Sequence, residues 1–216
     1  MNAPSQFAKL ISTLAIIALV FYSIILHEVS HAFTAFALGD DSAQRAGRLS
    51  FNPKKHIDLF GTVILPLLLY ITAGFIYGYA KPVPFNPHNF RNYKRDSGLT
   101  AMAGPISNIL IAVVLSVLYH IFGPFPQLQY ILLYVIFLNL LLAFFNLIPV
   151  PPLDGSKVLG MFLTDQAYLK WTAQERKGML YLFAIIIGSS LLGLNLIGKL
   201  VLPPVTFVMR LLGLPF

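Results

Sequence analysis

The sequence has no cysteine and few charged residues, and both shortages limit what the chain can be. Without cysteine among its 216 residues, it can form neither a disulfide nor a zinc site built on thiolates. Charged residues make up 11%, less than half of the roughly 25% found in soluble domains. Hydrophobic residues reach 57%, and the mean hydropathy is +0.76. The composition predicts an integral membrane protein whose apolar surface faces the lipid bilayer.

Acidic residues are also scarce, with eight Asp and Glu against fifteen Lys and Arg and a net charge of +7. Such a charge could indicate nucleic-acid binding, but the cations lie mainly in loops between apolar runs, where they set membrane topology and meet anionic lipid. Loops 39–56, 81–96 and 149–177 hold four each, and loop 123–129 holds none. We therefore expect no nucleic-acid partner, and we expect the three basic loops on the cytoplasmic side of the cell membrane.

The apolar runs predict an all-α polytopic membrane protein with about five to six membrane segments. They cover residues 10–26, 57–80, 97–122, 130–148, 179–196 and, more weakly, 200–216. The first run is interpreted as a retained helix rather than a signal peptide, because it is too long for a typical signal sequence. If loops 39–56 and 81–96 share one side, segment 57–80 must enter and leave on that side as a re-entrant hairpin. The alternative is a true span, with 81–96 returning as extended chain through the protein interior.

A short strand is a further expectation. Arg48-Leu49-Ser50-Phe51 alternates polar and apolar residues, which is compatible with a membrane-associated β element or, equally, with an ordinary loop. A free strand edge there could pair with an extended peptide.

The most informative stretch is His27-Glu28-Val29-Ser30-His31, which interrupts an apolar run. Ionisable residues are costly inside a membrane helix and are rarely kept without a function. Histidines four positions apart share one helix face, so both can reach one zinc ion, and the Glu between them can act as general base on the attacking water. The alternative is a pair of buried histidines satisfied by backbone or water.

A catalytic zinc needs a third protein ligand, and the few carboxylates narrow the choice. Asp154 follows a proline-rich stretch at the end of an apolar run, and Gly155 allows the backbone to turn there. We therefore expect Asp154 to be the third ligand. Asp40 and Asp41 are expected to be solvated cap residues. The other carboxylates flank basic loops and are expected to be surface charges: Asp58, Asp96, Asp165 and Glu175.

Three motifs together resemble the site-2 protease family of intramembrane zinc metalloproteases. They are His27-Glu28-Xaa-Xaa-His31, Gly104-Pro105-Xaa-Xaa-Asn108 and Asn146-Xaa-Xaa-Pro149-Xaa-Xaa-Xaa-Leu153-Asp154-Gly155. The resemblance covers about residues 7–165 and is to compact members without appended soluble domains. It implies one zinc per chain on His27, His31 and Asp154, with Glu28 catalytic. It also implies that Asn146 binds the substrate backbone and that Asn108 supports the site.

The resemblance further implies that the substrates are membrane-spanning segments of other proteins. We expect one membrane protease domain over 1–216, with a catalytic core at about 7–165 and accessory segments at about 178–216, and an active site near the cytoplasmic side. The alternatives are an inactive zinc-binding scaffold and a metal transporter. A transporter predicts polar residues along several helices, whereas here they cluster at one level. The sequence carries no feature that fixes the oligomeric state.

Overall fold

The computed structural model describes residues 6–58 and 83–215, together with Ile64 and Ile71, and this part of the chain is helical without strands. Eight α-helices are described: α1 Gln6–Ala37, α2 Ser42–Arg45, α3 Tyr93–Ile121, α4 Pro126–Asn146, α5 Asp154–Gly160, α6 Asp165–Thr172, α7 Glu175–Leu191 and α8 Leu196–Leu211. Two 3₁₀ turns, Pro53–Lys55 and Pro87–Asn89, lie in the connections. The all-α expectation is confirmed.

Three of the described helices, α1, α3 and α4, are long and apolar enough to cross a membrane. They pack against one another, and α1 is antiparallel to α3, since His27 contacts Asn108 while His31 contacts Thr100. A short connection from 122 to 125 makes α3 and α4 antiparallel as well. The end of α1, the start of α3 and the end of α4 therefore meet at one end of the bundle.

The hydrophobic core lies between α3, α4 and the C-terminal helices. It includes Ile136, Leu140, Leu182, Val205 and Met209. The outer faces of the long helices expose large aliphatic side chains, as helices in contact with lipid do. The shorter helices α7 and α8 have 17 and 16 residues. Five to six membrane segments therefore stay a prediction. The re-entrant expectation for 57–80 lies outside the described residues except for Ile57, Asp58, Ile64 and Ile71.

The strand expected at 48–51 is wrong. Local hydrogen bonds take up its backbone groups: Arg48 N–H donates to Ala43 O at 2.8 Å, and Ser50 N–H donates to Arg48 O at 2.8 Å. The His56 ring lies 2.7 Å from the carbonyl oxygen of Ser50. A strand needs a partner for these same groups, and the described part of the chain supplies turns instead.

The two expectations about Asp40 and Asp96 are also wrong. Asp40 has no exposed surface and accepts hydrogen bonds from the backbone and hydroxyl of Ser42, from Asn86 N–H at 2.6 Å and from the Asn89 amide at 2.7 Å. Asp96 is buried at the start of α3, where it accepts from Asn92 N–H. Asp40 thereby ties the chain at 86–89 to the end of α1, next to the predicted site.

Candidate metal centre

The two histidines of the sequence motif point from one face of α1 into the helix bundle. Their positions, one turn apart near the C-terminal end of the helix, place the ring nitrogens Nε2 of His27 and His31 3.1 Å from each other. The rings are nearly perpendicular, at 89°. The i, i+4 spacing therefore gives the expected shared face.

The carboxylate of Asp154 completes the group from the other side. Its Oδ2 lies 3.3 Å from His27 Nε2 and 3.4 Å from His31 Nε2, with 14% of the side chain exposed. Gly155 makes this approach possible, because a Cβ there would lie 2.2 Å from the carbonyl oxygen of Leu147. His27, His31 and Asp154 form the one group of three metal-ligating side chains within the described ranges.

The outer nitrogens of both imidazoles carry the protons. His31 Nδ1 lies 2.7 Å from Thr100 O, and a carbonyl can only accept, so this nitrogen must donate. His27 Nδ1 lies 2.6 Å from Asn108 Oδ1, which also accepts. In neutral imidazoles, both Nε2 atoms therefore present lone pairs to each other and to a carboxylate oxygen without a hydrogen-bond partner in the described structure. Three converging lone pairs suit a cation between them, and a metal ion can fill that position.

The donor set fits zinc. Imidazole nitrogen and carboxylate oxygen are ordinary zinc ligands, and ligands of a tetrahedral site with bonds of about 2.0–2.1 Å lie about 3.3 Å from one another. The observed separations of 3.1, 3.3 and 3.4 Å match this spacing. Outer partners that orient each ligand histidine, here Asn108 and Thr100, are also usual at such sites.

Gly104 lets α3 approach the two histidines. A Cβ at this position would lie 2.5 Å from both His27 Cε1 and His31 Nε2, which is closer than real Cβ atoms come to their neighbours. The glycine of the second motif is therefore a packing requirement of the metal-ligating group.

Glu28, the residue between the histidines in the motif, is half-buried and faces the chain that precedes α3. Its Oε2 accepts a hydrogen bond from the backbone N–H of Val83 at 3.1 Å. The Glu28 carboxylate thus accepts a hydrogen bond from a peptide group, and Glu28 follows the candidate ligand His27 directly in sequence. Nothing in the composition of 83–86 indicated this contact.

The two asparagines of the motifs differ in their contacts. Asn108 is fully buried and contacts His27 directly. Asn146 donates its side-chain N–H to Leu142 O in its own helix at 2.9 Å. A third asparagine, Asn139, contacts Asn108 and was not singled out. Its signal was available, since it is an amide in the middle of the apolar run of α4.

Comparisons with known proteins identify a matching family and several relatives. A family model described as "Peptidase family M50" matches residues 123–191, which include Asp154. Three relatives carry names that begin "Putative zinc metalloprotease". YwhC of Bacillus subtilis is 37% identical over 79% of this chain and 80% of its own length. MJ0611 of Methanocaldococcus jannaschii is 31% identical over 71% and 73%, and Rip2 of Mycolicibacterium smegmatis is 27% identical over 78% and 65%.

No solved structure matches the chain. The extent and identity of the match to YwhC, together with the family match over α4 to α7, establish the family. The chain belongs to peptidase family M50, the site-2 protease family of zinc metalloproteases.

Proposed function

We propose that this protein is an intramembrane zinc protease, which hydrolyses peptide bonds within or near membrane-spanning segments of other membrane proteins. The observation that carries the proposal is the convergence of His27, His31 and Asp154 beside Glu28, inside a bundle of apolar helices long enough to cross the bilayer. Such a site is in reach of a substrate segment that is itself in the membrane.

In this proposal, His27, His31 and Asp154 hold one zinc ion per chain. The bound ion supplies Lewis acidity, which polarises the scissile carbonyl and lowers the pKa of water. Asn108 and the carbonyl of Thr100 hold the two imidazoles in the tautomer that leaves Nε2 free for the metal.

Glu28 is the proposed general base and acid. Its carboxylate accepts the proton of the attacking water and returns it to the amine that leaves. In the structure, the carboxylate also accepts from Val83 N–H, and this bond holds it in one orientation at one oxygen. The other oxygen remains for the proton transfer.

The proposed substrate must present an extended peptide. The hydrogen bonds of a helix shield its peptide groups, so a membrane-spanning substrate has to unwind locally before its carbonyl can reach the metal group. Asn146, at the end of α4, is the proposed side chain that binds the substrate backbone. The half-buried position of Asn146 leaves it available for such a contact. The fully buried Asn108 is proposed to support the site through its contact with His27.

We also propose that the site lies near the cytoplasmic face of the plasma membrane and that the chain crosses or enters the bilayer five to six times. The described parts of the three basic loops adjoin the end of α1, the start of α3 and the end of α4, which meet at one end of the bundle. Excess Lys and Arg is a feature of cytoplasmic loops, and water for hydrolysis would enter from that end.

The test uses the full chain in liposomes with a single-span model substrate. We expect a zinc content near one per chain and cleavage that a chelator abolishes. Glu28→Gln should retain zinc and lose cleavage. The chain contains one other glutamate, the exposed Glu175, so Glu175→Gln is a matched control that should cleave normally.

Each alternative predicts a different result. A zinc-binding scaffold predicts bound zinc without cleavage of any tested span by the unaltered chain. A metal transporter predicts flux of zinc across the liposome membrane. Normal cleavage by Glu28→Gln would remove Glu28 from the reaction and contradict the proposed mechanism.

A further inference from the structure

A buried chain of hydrogen bonds links the metal-ligating His27 to all three long helices. From His27 Nδ1 it passes to Asn108 Oδ1 in α3 at 2.6 Å, and Asn108 Nδ2 donates to Asn139 Oδ1 in α4 at 2.8 Å. Asn139 Nδ2 then donates to Ser23 Oγ in α1 at 3.1 Å. Asn108 is 0% and Asn139 1% exposed, so water does not compete for these groups.

The backbone carbonyl of Val135 fixes the donor-to-acceptor direction of these hydrogen bonds, and the carbonyl of Leu19 is compatible with it. Asn139 Nδ2 also lies 2.8 Å from Val135 O, and the Ser23 hydroxyl donates to Leu19 O at 3.0 Å. Because a carbonyl can only accept, the atom of Asn139 beside Val135 must be the nitrogen. Because the Ser23 proton is directed to Leu19, its oxygen is left to accept from Asn139.

The orientation of the Asn139 amide determines which nitrogen of His27 carries the proton. With its nitrogen held by Val135, Asn139 presents oxygen to Asn108, so Asn108 must present nitrogen there. The Asn108 oxygen is then the atom that faces His27, and His27 Nδ1 must carry the proton. The Nε2 lone pair consequently faces His31 and Asp154.

We propose that Asn139 is a positioning residue of the metal centre, which fixes the amide of Asn108 and thereby the metal-binding tautomer of His27. The proposal rests on His27 being a metal ligand. Without Asn139, the Asn108 amide can turn by 180° and present nitrogen to His27. That orientation favours a proton on Nε2, and a protonated Nε2 cannot bind a metal.

A structural role of Asn139 makes a different prediction. Asn139 also joins α4 to α1 through its hydrogen bond to Ser23. If that were its only role, substitution of Asn139 would lower stability without changing metal affinity. Ser23→Ala separates the two roles, because it removes the hydrogen bond between α4 and α1 while the carbonyl of Val135 still fixes the Asn139 amide. The proposal therefore predicts unchanged metal affinity for Ser23→Ala, whatever happens to its thermal stability.

The test measures metal binding by the full chain in detergent, with Zn²⁺ affinity from competition with a chelator and the visible absorption of bound Co²⁺ as the spectroscopic signature. Asn139→Leu should weaken Zn²⁺ binding about tenfold, the lower end of the range for residues that orient metal ligands. Its Co²⁺ spectrum should change. Ser116→Ala is the control. It removes a buried hydroxyl of α3 that lies outside this hydrogen-bond series, and it should bind Zn²⁺ as the unaltered chain does.

A rescue variant makes the test specific. Asn108→Asp has no N–H to present to His27, so it favours the correct tautomer whatever its orientation. Asn108→Asp combined with Asn139→Leu should therefore bind Zn²⁺ more tightly than Asn139→Leu alone. If the leucine variant does not fold, Asn139→Ser replaces it in both chains, since a helical serine can bond to Val135 O at i−4 without reaching Asn108.

Unchanged Zn²⁺ affinity in the position 139 variants would overturn the proposal, as would failure of Asn108→Asp to restore it. These outcomes are independent of proteolysis. Failure of the unaltered chain to bind Zn²⁺ would instead overturn the metal centre itself, so the two failures are distinguishable.

Discussion

The backbone N–H of Val83 lies 3.1 Å from the carboxylate Oε2 of Glu28, which brings together residues 55 positions apart in the chain. Asp40 holds the same stretch a few residues later, through Asn86 and Asn89. Two carboxylates, one in α1 and one just beyond it, therefore anchor the chain that leads into α3. This segment is the described part of the protein that lies directly against the proposed general base.

The Val83 contact can be tested by hydrogen exchange. Residues 82 and 84 are prolines and carry no amide proton, so the Val83 amide can be followed without its direct neighbours. Glu28→Ala should speed its exchange by about tenfold or more, because a hydrogen bond to a charged group contributes about 1.5–3 kcal/mol. Glu28→Gln keeps an accepting oxygen and should leave the amide largely protected. Equal exchange in both variants would contradict the contact.

Gly104 provides a steric test of the metal-ligating group. Gly104→Ala places a Cβ within 2.5 Å of both histidine rings, so we expect loss of zinc binding and destabilisation of about 1–3 kcal/mol, as for other overpacked sites. The matched control is Gly188→Ala in α7, where a Cβ would meet nothing within 4 Å. Zinc content and thermal unfolding of both variants check the prediction. Full zinc occupancy in Gly104→Ala would contradict the close approach.

The sequence marks the candidate metal-ligating residues of this site more clearly than it marks the groups that support them. His27 and His31 are marked by helical spacing, and Asp154 stands out because the chain has only eight carboxylates. The groups that orient the histidines and Glu28 include the carbonyl of Thr100 and the N–H of Val83. Every residue has these backbone groups, so no residue type marks them in a sequence.

Asp40 shows why burial was mispredicted in the loops. A carboxylate beside a glycine and a second aspartate, within a basic loop, is typical of solvent-exposed turns. Its partners Asn86 and Asn89 lie 46 and 49 positions away, and only the packing of α3 against α1 brings them close. The strand at 48–51 failed for a related reason, since alternation of side chains does not supply a pairing partner.

The buried Asp40 predicts an acid-sensitive fold. Burial raises its pKa, but the hydrogen bonds from Ser42, Asn86 and Asn89 outweigh that effect and hold the pKa below its ordinary value. A lowered pKa in the folded state stabilises the protein above the unfolded value of about 3.9, and this contribution is lost as pH falls through that value toward the folded pKa. Unfolding measured from pH 7 down to pH 3 should therefore show declining stability below about pH 4.

Asp40→Asn should reduce the loss of stability below about pH 4. It should also lower the free energy of unfolding at pH 7 by about 1–3 kcal/mol, because donors in the buried loop lose their charged acceptor. Asp41→Asn is the control, since the Asp41 carboxylate is 46% exposed and pairs with Arg45 at the surface, where such pairs contribute little. An equal decline of stability between about pH 4 and pH 3 in Asp40→Asn and in the unaltered chain would contradict this assignment.

Removal of the metal should destabilise the fold in proportion to zinc binding. A ligand present at a hundredfold excess over its dissociation constant stabilises the folded state by about 2.7 kcal/mol, which corresponds to about 5–10 °C in unfolding temperature for a chain of this size. Chelation should therefore lower the unfolding temperature of the unaltered chain by about this amount. Asp154→Ala should lack most of it from the start, because two imidazoles alone hold zinc weakly. Asp165→Ala, which removes an exposed carboxylate paired with Lys94, should keep the full increment. A response to zinc that is equal in Asp154→Ala and the unaltered chain would show that the ion binds elsewhere.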